Sequence, residues 1–140
     1  MRLVITTPTS VVVDEPGAVA VRAEDESGSF GILEGHADFL TVLTISILRW
    51  RSKNGVERFC AHRRGVLSVS RGSEVMVATR EAILGSDPDR LETAVLSKFR
   101  EAAEEERSAR AESLRQQMTA IRRIVHYLRP GAPSALTDQS

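Results

Sequence analysis

Residues 28–41, GSFGILEGHADFLT, form the densest pattern in the chain. Gly28, Gly31 and Gly35 give the backbone freedom at three points, while Phe30, Ile32, Leu33, Phe39 and Leu40 call for burial against a scaffold. Turn residues and apolar anchors alternate too closely for a helix. The stretch therefore reads as a loop presented by a β-rich body.

On both sides of it the chain reads as short strands with turn punctuation. Leu3–Ile5 and Val11–Val13 flank a turn at residues 7–10, and a break at Glu15, Pro16 and Gly17 follows. Val19, Val21 and Ala23 then alternate with Ala20, Arg22 and Glu24, the period of a half-buried strand. Ile45, Ile47, Leu48 and Trp50 mark another strand, and Asn54-Gly55 is a hairpin turn into residues 56–61. Val66, Leu67 and Val69, a turn at Arg71-Gly72, and Val75, Val77 and Thr79 complete the series. Short strands at this spacing, with no helix between them, predict a sandwich or barrel over residues 1–85.

At Gly85 the character changes. Ser86 or Asp87 caps a helix with Pro88 in its first turn, and no glycine or proline follows until residue 130. Leu91, Val95, Phe99 and Ala102 or Ala103 make one apolar stripe, and Leu114, Met118, Ile121, Val125 and Leu128 make a coiled-coil type seam. Residues 104–112 hold only Ala109 and Ala111 as weak apolar residues, so a hairpin turn or hinge is expected there, with a single extended helix as the other arrangement. The architecture expected is thus α+β: a β-sandwich (1–85), a helical hairpin (86–130) and a disordered tail (131–140).

Nineteen basic and nineteen acidic residues cancel, so no overall field draws the chain to nucleic acid or an anionic membrane. The single cysteine, Cys60, allows no intrachain disulfide and makes a cytosolic face the expectation. No apolar run approaches the ~20 residues of a membrane helix, so any membrane association is expected to run through a partner. Cys60 and His62 share one face of a strand and could, with His36, suggest a metal or thiol site. No second cysteine or clustered acid completes a ligand set, and a packed core pair is the expected reading, with no catalytic and no metal site. The basic stretch at Arg107, Arg110, Arg115, Arg122, Arg123 and Arg129 lacks the interleaved aromatics that nucleic-acid binding uses.

The 28–41 stretch resembles the signature of the epsilon subunit of rotary F-type ATP synthases, a Gly-x-x-Gly-Ile-Leu-Pro-Gly-His-Ala run followed by leucine and threonine. Gly28, Gly31, Ile32, Leu33, Gly35, His36, Ala37, Leu40 and Thr41 fit it. Glu34 stands where the family usually has proline. Ser29 stands where many members carry a glutamate thought to face the membrane rotor ring, leaving Asp25 or Glu26 to supply an acid. Arg63 and Arg64 occupy the place of a small pair, commonly Gly-Gly, which resembles the alternate branch sometimes linked to sodium translocation.

The resemblance implies a flattened sandwich of about ten strands and a non-catalytic rotor subunit. It would couple the shaft (gamma) subunit of the catalytic head to the proton- or sodium-translocating ring, peripheral on the cytoplasmic face of a bacterial membrane. Ser29, Phe30 and His36 would meet the ring or shaft. Arg115, Arg122, Arg123 and Arg129 would press a helix against the catalytic beta subunits and inhibit ATP hydrolysis. Some members bind regulatory ATP through an Asp-x-x-Arg motif, to which Asp87 and Arg90 correspond in part; both residues are equally a helix cap and a first-turn charge. From the residues alone a different reading stands beside it: a freestanding β-sandwich adaptor that dimerises through the seam at residues 114–128.

Overall fold

A computed structural model describes residues 1–128. Ten strands make two five-stranded sheets. Sheet A runs in the order β2 (Ser10–Glu15), β1 (Arg2–Thr7), β9 (Glu74–Ala78), β8 (Val66–Ser70) and β5 (Phe39–Val42). Sheet B runs β10 (Glu81–Gly85), β7 (Glu57–Arg63), β6 (Ser46–Ser52), β3 (Ala18–Asp25) and β4 (Gly28–Leu33). All pairings are antiparallel except β1 with β9.

The strand period of two sends alternate side chains inward to one core. Leu3, Ile5, Leu67, Val69, Val75 and Val77 come from sheet A, and Val21, Ala23, Ile32, Leu48, Trp50 and Cys60 from sheet B. One register detail departs from simple alternation. A bulge between Ala18 and Ala20 turns Ala18 into the core and leaves Val19 half-buried, so the pattern expected at Val19 holds only from Val21 on. Arg64 closes the β7–β8 turn at φ 56°, the left-handed conformation that a glycine there would adopt without steric cost.

Residues 28–41 are not a free loop. They form β4, a five-residue turn and β5, the adjoining edge strands of the two sheets: Gly28 opens β4, Gly35 lies in the turn, Gly31 is held within β4 opposite Arg22, and Ile32 reaches the core. Ile32 is fully buried and Phe30 half-buried, whereas Leu33, Phe39 and Leu40 are exposed, contrary to the burial expected of them.

After Gly85, Asp87 caps a short helix α1 (Pro88–Arg90) by accepting from the Asp89 backbone N–H at 3.0 Å. A π-helical turn (Leu91–Leu96) follows and leads without interruption into α2 (Ser97–Leu128). The wider turn matters for packing. It places Leu91 and Leu96, five residues apart, on one face with Phe99, and all three are buried against Phe59 and Ala61, while Val95 is only half-buried. Gly85 is needed at this junction, since a Cβ there would sit 2.9 Å from the Leu91 side chain.

The hairpin expected at residues 104–112 is absent: α2 is one helix through that segment. Ala, Glu and Arg are strong helix formers, and with neither glycine nor proline nothing breaks the backbone ladder. Met1–Glu101 forms one compact unit, and α2 from Ala102 onward belongs to a second. Arg129 and the expected tail at 131–140 lie outside the described residues.

Candidate functional site

Sheet A has one face in the core and one outside, and the outer face is unusually apolar. Strand register builds it in two adjoining rows. Val42, Val66, Ala78, Thr6 and Val11 align across all five strands in one; Leu40, Ser68, Met76, Val4 and Asp14 align in the next. Leu40 is 72% exposed and Val42 67%, with Val66, Met76 and Val11 also exposed. A solvated sheet face normally alternates to polar residues. Here the charged groups, Arg2 and Asp14 paired at 2.9 Å and Glu74, stand at one border, and the hydroxyls of Ser68 and Thr6 are the polar groups within the two rows.

Beside this face lies the turn at residues 34–38. Gly72 accepts from the Gly35 N–H at 2.8 Å, and a Cβ on Gly72, at φ 66°, would fall 2.9 Å from the Gly35 Cα. Asp38 accepts from the Arg71 N–H at 3.1 Å. Two glycines in contact and one Asx-type bond thus pin the turn to the β8–β9 hairpin. His36 Nδ1 lies 2.7 Å from the Ala37 carbonyl, and its ring meets Phe39 edge-on at 5.8 Å, which in turn meets Phe30 at 5.5 Å.

The structure therefore brings together Phe30 and His36, with Phe39 between them. Ser29 it places elsewhere. Ser29 pairs with Glu24 and Phe30 with buried Ala23, so the two neighbours point to opposite faces of sheet B. In the β3–β4 turn, Asp25 is fully engaged: its carboxylate accepts from Ser27 N–H (2.9 Å), Ser27 Oγ (2.5 Å) and Thr41 Oγ1 (2.8 Å), which holds its pKa below the usual carboxylate range. Glu26, exposed at the turn's tip, is the acid left to face outward.

Asp87 is taken up as the cap of α1, and Arg90 is exposed in the same short helix. Arg115, Arg122 and Arg123 are exposed on α2, Arg115 paired with Glu112 at 3.1 Å. On that helix Leu114, Met118, Ile121, Val125 and Leu128 are each exposed as well. Cys60 and His62 are buried. Burial pushes the Cys60 thiol up to about 12 and His62 down to about 4, and the His62 Nε2 lies 3.4 Å from Ser46 Oγ. His36 sits in the turn described above, and no group of three His, Cys, Asp or Glu able to hold a metal ion occurs among the described residues. Among those residues no helix is long and apolar enough to cross a membrane.

The apolar rows on sheet A were missed by sequence reasoning. The signal was present, since Val75-Met76-Val77 and Val66-Leu67 are unbroken apolar runs where a one-sided sheet would set a polar residue at 76 and 66.

Residues 1–85 match the family model described as ATP synthase, Delta/Epsilon chain, beta-sandwich domain. The chain is 47% identical over 135 residues to the ATP synthase epsilon chain 2 of Paraburkholderia xenovorans, covering 96% of this chain and 97% of the relative. It is 43% identical to the epsilon chain 2 of Cereibacter sphaeroides, covering 94% and 92%. Among solved structures its fold is similar to a chain of the Euglena gracilis mitochondrial ATP synthase (OSCP/F1/c-ring), with a TM-score of 0.58, 24% identity and 76% of this chain against 62% of that one, less than two thirds of its length. It is similar also to a chain of the Tetrahymena thermophila mitochondrial ATP synthase central stalk and c-ring, with a TM-score of 0.54, 17% identity, and coverage of 78% and 90%. The chain belongs to the epsilon-chain family of ATP synthases, and its first 85 residues are that family's β-sandwich.

Proposed function

We propose that this rotor-stalk subunit, which performs no catalysis itself, seats the shaft subunit of the ATP synthase on the outer face of sheet A and the adjoining turn at residues 34–38. The carrying observation is the pair of apolar rows through Leu40, Met76, Val42 and Val66, held rigidly by five strands. Exposed apolar area of this kind is stabilised by a protein partner. Phe30, Phe39 and His36 cluster at the edge where β4 and β5 adjoin, on the core side of sheet A and not on its outer face, and Glu26 offers the acid toward the membrane ring in place of Ser29. Association with the ring makes the subunit peripheral at the bacterial cytoplasmic face. Family membership sets aside the freestanding adaptor. Arg63 and Arg64 support the alternate, sodium-linked branch.

The test is reconstitution of the shaft subunit with the chain carrying Leu40→Lys. Loss of a stable complex, with folding intact, supports the reading; undiminished binding overturns it.

The basic residues Arg115, Arg122, Arg123 and Arg129 carry a second role, inhibition of hydrolysis through contact with the catalytic beta subunits. What supports it is an uninterrupted α2 that exposes both an apolar stripe and arginines. Hydrolysis by the cognate complex, reconstituted with the full chain or with a chain ending at Glu101, tests it. Faster hydrolysis with the shorter chain at equal binding supports the role, and equal rates overturn it. Regulatory ATP at Asp87 and Arg90 would require Asp87 to give up its cap; ATP-dependent compaction lost in Arg90→Ala is the matching test.

A further inference from the structure

The outer face of sheet B is divided. At one end Leu91, Leu96 and Phe99 cover Phe59 and Ala61, and at the other the sheet is bare. The bare end is basic. Arg22 on β3 stands directly opposite Arg49 on β6, and Arg51, two residues along β6, stands between Ala20 on β3 and Glu57 on β7, so three arginines outnumber the acids Glu57 and Glu24 on this face. Like charges in register across strands destabilise a sheet. Among the described residues neither Arg22 nor Arg51 has an ion pair; Arg49 rests over the Phe59 ring at 5.6 Å.

Small side chains between them open a groove. Ala20 and Gly31 lie where larger residues would fill the surface, and a Cβ on Gly31 would meet nothing nearer than the Val21 carbonyl at 3.9 Å. The cavity is about 340 Å³, bordered by Arg22, Arg49, Arg51, Glu57 and exposed Leu33. A second hollow of about 230 Å³ shares Arg22 and Arg49 with it and continues past Glu24 to Arg100, which is paired with Glu92 at 3.3 Å. The groove is therefore elongated. Its floor is extended strand backbone, not the tight turn whose successive N–H groups converge at phosphate sites.

We propose that this groove docks an acidic polypeptide segment of a protein partner, whose carboxylates take Arg22, Arg49 and Arg51 as bidentate partners. Arg49 and Arg51 are spaced by about 6.8 Å along the strand, which suits carboxylates at alternate positions of an extended segment or one turn apart on a helix. Leu33 supplies an apolar contact at the groove's end. The occupant proposed is an acidic segment of another protein, complementary in charge to the three arginines. This surface is separate from the sheet A face and rests on none of the contacts proposed for it.

The experiment is NMR titration of the full chain with hexaglutamate at low salt, with inorganic pyrophosphate and hexalysine as parallel probes. Hexaglutamate is expected to shift the amides of Arg22, Gly31, Arg49 and Arg51, and Arg22→Ala with Arg51→Ala to weaken binding at least tenfold without lowering Tm. Relief of like-charge repulsion separates this from a structural role: a fall in Tm matching the loss of binding overturns the proposal. So do shifts confined to the arginines of α2, tighter binding of pyrophosphate at the same residues, or groove shifts that appear on raising the chain's own concentration, which would mark a second copy as the occupant.

Discussion

Leu40 and Val42 give the sharpest handle on the shaft-contact reading, because their exposure separates binding from folding. Replacing Leu40 by Ala removes three carbons and Val42 by Ala two, at about 0.8 kcal/mol per buried methylene. With 72% and 67% of these side chains still open to solvent in the free chain, most of that apolar area is available to be buried by a partner. The double variant should therefore lose about 3 kcal/mol of binding, on the order of a hundredfold in Kd. The free chain should lose only about 1 kcal/mol, since only the remaining third of each side chain is already buried. Titration of the labelled chain with purified shaft subunit, alongside calorimetric unfolding of each variant, reads both quantities. A Kd within threefold of the parent with an unchanged Tm would refute the reasoning.

Other outcomes follow from the core and its junctions. His62 titrates at about 4 folded against 6.5 in the unfolded chain, so the unfolded state binds more protons between those values. Stability should be level above pH 6.5 and fall as pH drops toward 4, by up to about 3 kcal/mol, in urea unfolding followed across that range. The Cys60 thiol, buried and raised to about 12, should resist a thiol reagent in the native chain and react on unfolding. Gly72→Ala forces an L side chain into φ 66° against Gly35, so it should cost at least about 1 kcal/mol and displace the His36 resonances, whereas a solvent-facing change such as Glu26→Gln should do neither. A chain ending at Gly85 should be about 5 kcal/mol less stable than one ending at Glu101, because it strips Leu91, Leu96 and Phe99 from Phe59 and Ala61.

The strands were legible in the sequence because their signal is local: alternation at Val21 and Ala23, a hairpin at Asn54-Gly55, and turns at Arg71-Gly72. The cap at Asp87 was legible for the same reason. What was hidden depends on pairing. Nothing within residues 39–42 says that Leu40 joins Met76 across Ser68; only the register does. The arginine pair on sheet B is equally invisible in the chain, since Arg22 and Arg49 meet only through β3 and β6. The helical stripe failed differently. Spacing by four selected Val95, whereas the π-helical turn at Leu91–Leu96 selects Leu96. The hairpin was inferred from weak apolarity at residues 104–112, yet strong helix formers keep a ladder intact whether or not a face is buried.

The measurement that bears most directly on the proposed contact is site-specific crosslinking within the assembled complex. A photoreactive maleimide placed by Ser68→Cys, at the centre of the apolar face, is compared with one placed by Ala20→Cys on sheet B, and Cys60 needs no removal because it is buried. A crosslink to the shaft subunit from position 68, and none from position 20, is the predicted result. The reverse pattern would contradict the account.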